Sequence, residues 1–92
     1  MRRDARVDGN HRDLLDLARA LGGVVVDCRS VGQGCPDAYV FIRTHWRAIE
    51  IKNGAQASLT PAQEALHAQA PITIWRTRED VLQAFGILKA EA

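Results

Sequence analysis

Gly34-Cys35-Pro36-Asp37-Ala38-Tyr39-Val40-Phe41-Ile42-Arg43-Thr44-His45-Trp46-Arg47-Ala48-Ile49-Glu50-Ile51-Lys52-Asn53-Gly54 carries the strongest structural pattern in the chain. Ala38–Arg43 and Trp46–Lys52 are both rich in β-branched and aromatic residues, and only Thr44-His45 lies between them. That pattern predicts a β-hairpin. A two-residue loop sets Arg43 opposite Trp46, Phe41 opposite Ala48, Tyr39 opposite Glu50 and Asp37 opposite Lys52. Side chains alternate between the faces of a strand. Asp37, Glu50 and Lys52 therefore share one face, while Val40, Ile42, Ile49 and Ile51 share the other and read as core.

Two carboxylates held close together repel, so one is pushed toward its protonated form unless a cation sits between them. Mg²⁺ suits such a place because it takes oxygen ligands, needs only one or two carboxylates and keeps waters for a phosphate substrate. A lysine alongside can orient or help deprotonate the attacking water and offset charge on the phosphate. Pro36 fixes its own φ and biases Cys35 toward an extended conformation, and Gly32 and Gly34 permit tight turns. Asp37 is thus expected at a rigid strand entrance.

Pro36-Asp37, with Glu50-Ile51-Lys52 beginning thirteen residues after the aspartate, resembles the PD-(D/E)xK nuclease superfamily. Leu59-Thr60-Pro61-Ala62-Gln63 after the Glu-x-Lys strand narrows the resemblance to the small phage and prophage VRR-NUC nucleases, over about residues 7 to 85. The resemblance implies a restriction-endonuclease-like αβββαβ core with a mixed sheet. It also implies a Mg²⁺- or Mn²⁺-dependent DNA endonuclease acting on duplex or branched DNA, four-way junctions included. Asp37 and Glu50 would hold the metal, with the backbone carbonyl of Ile51 as a further ligand. Lys52 would serve the water or the phosphate, and Gln63 would assist. Related nucleases place a glutamate on the first helix. This chain has none there, and Asn10 or Asp13 stands at the corresponding turn. The alternative to an enzyme is a DNA-binding or phage accessory module that kept the fold and lost efficient catalysis.

The remaining sequence fits one small α/β domain over residues 1–92, with residues 1–9 as a flexible arm whose Arg2, Arg3 and Arg6 could touch a nucleic-acid backbone. No run of 18 apolar residues occurs, so no membrane partner is expected. Cys28 and Cys35 match no disulfide framework or zinc spacing, which fits a reducing cytoplasm of bacterial or phage-encoded origin. Net charge is only +1, which excludes a polybasic coat protein. Arginine outnumbers lysine ten to two, and one of the two lysines is Lys52. A domain this small carries one site, so cutting both strands favours a two-fold homodimer, with Trp46 at the hairpin tip as a candidate anchor.

Leu14, Leu17, Ala18 and Leu21 predict an amphipathic helix over residues 10–21, stopped by Gly22-Gly23, with Asn10 as N-cap. Val24–Cys28 reads as a buried strand. Ala55–Ser58 reads as a mobile loop, and Thr60-Pro61-Ala62-Gln63 as a capping box opening a helix that Pro71 ends. Gln63 therefore has two readings, cap and site residue. His67 reads as a helix-surface residue, and His11 and His45 lack partners at ligand spacing. Ile72–Arg76 is a further strand. Thr77 caps a last helix with an apolar stripe of Val81, Leu82, Phe85 and Leu88.

Overall fold

The computed structural model describes the backbone of residues 2–54 and 58–89, with side chains from residue 10 onward. The elements run α1 (Arg2–Ala20), β1 (Val24–Asp27), β2 (Ala38–Ile42), β3 (His45–Ile51), α2 (Pro61–Gln69), β4 (Thr73–Trp75) and α3 (Arg78–Ala84). Four strands form one mixed sheet in the order β1-β2-β3-β4, antiparallel except for the parallel β3–β4 pair. The expected α/β class, with a mixed sheet and a C-terminal helix, is present. No helix among the described residues is long and apolar enough to cross a membrane.

Period-two alternation places the core as expected. Ala38, Val40 and Ile42 of β2 and Ile49 of β3 are buried, with Ile51 packed at their margin. Leu14, Leu15 and Ala18 of α1, Trp75 of β4, and Val81 and Phe85 at α3 complete that cluster. Burying large apolar side chains contributes about 1.5–3 kcal/mol each, which offsets the entropy of ordering a chain this short.

Several expectations change. The helix expected from Asn10 begins at Arg2, so Asn10 lies inside α1 and is not its N-cap. Residues 2–9, expected as an arm, continue that helix; the side chains of Arg2, Arg3 and Arg6 lie outside the described residues, as do residues 55–57 of the expected loop. The buried stripe of α1 is His11, Leu14, Leu15 and Ala18, rotated from the expected one, and Leu17 and Leu21 sit at its edge. Both stripes obey helical spacing, and packing against β1 and α3 selects between them. β1 is not a buried strand. It is an edge strand with Val24 and Val26 exposed, because the apolar cluster lies on the other face of the sheet. α3 ends at Ala84, leaving Leu88 outside it and exposed.

The hairpin keeps its predicted faces and changes its register. Phe41 pairs with Trp46, Tyr39 with Ala48 and Ala38 with Ile49, a shift of two residues from expectation. The turn is Arg43-Thr44, with Arg43 at φ +62 and His45 already in β3. A left-handed arginine is disfavoured in isolation. Here its Nη2 donates to the Phe85 carbonyl at 2.8 Å, at the end of α3. Gly86 (φ +77) makes room for it, since a Cβ there would collide with the Arg43 guanidinium.

Candidate active site

The shifted register brings the two predicted carboxylates together. Continuing the ladder one step past Ala38–Ile49 sets Asp37 opposite Glu50. Asp37 is held from both sides. Its carbonyl accepts from Cys28 N–H at 2.7 Å, and its Oδ2 accepts from Ile51 N–H at 2.7 Å. The side chain thus takes the place of a backbone partner just before β2 begins. N–H and C=O of one strand residue point to the same side. Ile51 N–H faces Asp37 and Lys52 N–H faces Trp75 on β4, so the Ile51 carbonyl points toward Asp37.

Glu50 is buried, with 2% of its surface exposed. Its Oε2 accepts from Gln63 Nε2 at 2.6 Å and lies 3.9 Å from Lys52 Nζ. Lys52 Nζ in turn donates to Gln63 Oε1 at 2.8 Å. Burial pushes the Glu50 carboxyl up to about 7; the Asp37 charge and a hydrogen bond with Asp37 add to the rise, and Lys52 opposes it.

Gln63 reaches the site because α2 starts where it does. Thr60 and Gln63 form the expected capping box, with Gln63 N–H donating to Thr60 Oγ1 and Thr60 N–H to Gln63 Oε1. The same Oε1 accepts from Lys52, so the cap and site readings of Gln63 both hold. Gly34 (φ +82) lets the loop before Asp37 approach α2 closely; a Cβ there would lie 3.0 Å from that of Ala62.

Asp37, Glu50, Ile51, Lys52 and Gln63 are therefore brought together. Asn10 and Asp13 are not joined to them by any hydrogen bond or ion pair among the described residues, and Asp13 is exposed. His11, which has no partner at ligand spacing in the sequence, meets one through the fold. It is buried on α1 with Nε2 3.7 Å from Asp27 Oδ1. Burial alone would raise the Asp27 pKa, but the backbone N–H and charge of Arg29, together with His11, hold it below its ordinary value. The rotated α1 stripe was the only signal for that pair. His67, expected on the helix surface, is half-buried.

A divalent cation fits this donor set. Burial and the Asp37 charge raise the Glu50 pKa, and a cation between the two carboxylates would oppose that rise. No group of three or more His, Cys, Asp or Glu occurs among the described residues, so protein ligation would rest on Asp37, Glu50 and the Ile51 carbonyl. Such sparse ligation suits Mg²⁺, which retains waters and takes phosphate oxygens. No family model, curated protein or solved structure matches this chain.

Proposed function

We propose that the protein is a Mg²⁺- or Mn²⁺-dependent DNA endonuclease with a restriction-endonuclease-like arrangement of its sheet. The observation that carries this reading is the Glu50–Gln63–Lys52 hydrogen-bonded group beside Asp37, which Ile51 N–H pins at the neighbouring strand end. A bound cation would supply Lewis acidity toward the phosphate and lower the pKa of a ligated water. Asp37, pinned by Ile51 N–H, fixes one carboxylate in place. Glu50, once ionised, provides the second. Lys52, tied to the Gln63 amide oxygen, presents its ammonium beside the carboxylates, where it orients water and offsets charge on the phosphate. Gln63 holds Glu50 and Lys52 in register.

Two copies would place two sites on opposite strands of a duplex or a four-way junction, and light scattering that shows only monomer at working concentration counts against that arrangement. The decisive assay is cleavage of linear duplex, single-stranded and four-way-junction DNA with Mn²⁺ or Mg²⁺. Wild type should cut, and Asp37→Ala should be inert while keeping its circular dichroism spectrum. Cutting by Asp37→Ala at the wild-type rate would refute the assignment.

One observation favours a second reading, a DNA-binding accessory module. No first-helix carboxylate joins Asp37 and Glu50 among the described residues. Metal binding without any cutting would select it.

A further inference from the structure

β4 ends beside the site. Ile51 pairs with Trp75, and Lys52 N–H still donates to the Trp75 carbonyl at 3.1 Å, which sets Arg76 opposite Lys52. Glu50 pairs with Ile74, so alternation puts Arg76 on the face that carries Glu50 and Lys52. Thr77 N–H, the next in line, goes instead to Asp80 Oδ2 at 3.1 Å, and Arg76 N–H joins it there at 2.7 Å. That carboxylate oxygen is therefore taken up by backbone groups.

The half-buried Arg76 side chain crosses to the turn that follows Lys52, where its Nη1 donates to the Gly54 carbonyl at 2.7 Å. A guanidinium carries five N–H donors, and this bond uses one of them. The others have no partner among the described residues, and no carboxylate there pairs with Arg76. Lys52 Nζ, across from it, is held by Gln63 Oε1 at 2.8 Å and has Glu50 at 3.9 Å. Two cations opposite one another on neighbouring strands repel. Other arginines are committed elsewhere: Arg29 lies against Asp27, Arg43 is tied to the Phe85 carbonyl, and Arg47 alternates onto the helix-covered face.

Resting on the nuclease reading, we infer that Arg76 binds a phosphate of the substrate strand next to the one that Lys52 serves. An anion there relieves the repulsion between the two cations, and the planar guanidinium fork matches the paired oxygens of a phosphodiester. The bond to Gly54 fixes one corner of the fork, so less side-chain freedom is lost when the phosphate arrives. The substrate strand then passes over the ends of β3 and β4, from the Asp37–Glu50 row to the Lys52–Arg76 row. Arg76 binds and positions the strand, and takes no part in the proton transfers.

The test measures binding of labelled duplex and four-way-junction DNA to the full chain carrying Glu50→Gln, by fluorescence anisotropy in metal-free buffer across a series of salt concentrations. In that background Arg76→Ala should weaken binding about ten-fold and lower the slope of log K against log salt by about 0.9, the value of one phosphate contact. Arg76→Lys should keep the slope and lose part of the affinity. Arg76→Gln retains a donor for the Gly54 carbonyl without the charge, and should behave like Arg76→Ala. In cleavage with Mn²⁺, Arg76→Ala should raise KM more than it lowers kcat. Affinity and slope unchanged in Arg76→Ala, or no DNA binding at all, overturns the assignment. A loss of affinity at unchanged slope that Arg76→Gln restores makes Arg76 an anchor of the turn alone, and overturns it too. A lowered slope supports the phosphate contact even if wild type with Mn²⁺ cuts nothing, and that outcome would sink only the nuclease reading.

Discussion

The two faces of one hairpin were made by the same alternation and serve opposite ends. On one face Ala38, Val40, Ile42 and Ile49 are sealed beneath helices. On the other, Tyr39 and Trp46 stand in solvent, and the next row sets half-buried Asp37 opposite buried Glu50, whose carboxyl is pushed up by burial and by the Asp37 charge. The first face stabilises the fold. The second holds groups whose ionised forms are poorly tolerated together, an arrangement that costs stability and that a cation would relieve. Strand alternation is indifferent to purpose; what covers each face decides it.

The comparison can be broken most forcefully at Lys52. Lys52→Ala should lower turnover by about 10²–10⁴-fold while Mn²⁺ still raises the thermal midpoint. An unaffected rate would remove Lys52 from the proposed chemistry.

Next come substitutions that weigh the two faces directly. Ile49→Ala, on the sealed face, should cost about 2–5 kcal/mol by urea unfolding. Val26→Thr, on the open face, should stay within about 0.5 kcal/mol. Equal losses would mean that something covers the second face in solution.

The carboxylate pair should also announce itself in the pH dependence of stability. Glu50 has its carboxyl raised from 4.5 to about 7 in the folded state. Between those values the folded protein holds a proton that the unfolded chain has released. Without divalent cation, stability should therefore fall as pH rises from about 4.5 to about 7 and level off above, by on the order of 2 kcal/mol. Glu50→Gln should flatten that slope and be the more stable protein above pH 7. A slope unchanged in Glu50→Gln would place the strain elsewhere.

The smallest effect tests what sets the register. Gly86→Ala introduces a side chain at φ +77 and against the Arg43 guanidinium, and should cost about 1 kcal/mol or somewhat more in thermal unfolding. A neutral result would mean that the Arg43 contact with Phe85 does not hold the turn.

Much of this protein was legible in residues close together in the chain. Period-two alternation gave the hairpin and assigned Asp37, Glu50 and Lys52 to one face. Thr60, through a capping box, and Thr77, as a cap, marked their helix starts, and both caps form, the second also as a box with Asp80. These signals are local, so a linear reading suffices. The rest depended on contacts across the chain. A register slip of two residues leaves alternation unchanged, so no face pattern distinguishes Tyr39 opposite Glu50 from Asp37 opposite Glu50. The contact of Arg43 with Phe85, 42 residues away, accompanies the second. The same limit applies to α1, whose two candidate stripes differ only in what they meet, and to β1, whose valines read as buried until the sheet order left them at an open edge. Gln63 is the intermediate case: its cap is written in four consecutive residues, but its grip on Glu50 and Lys52 exists only because Gly34 lets α2 come close enough to reach them.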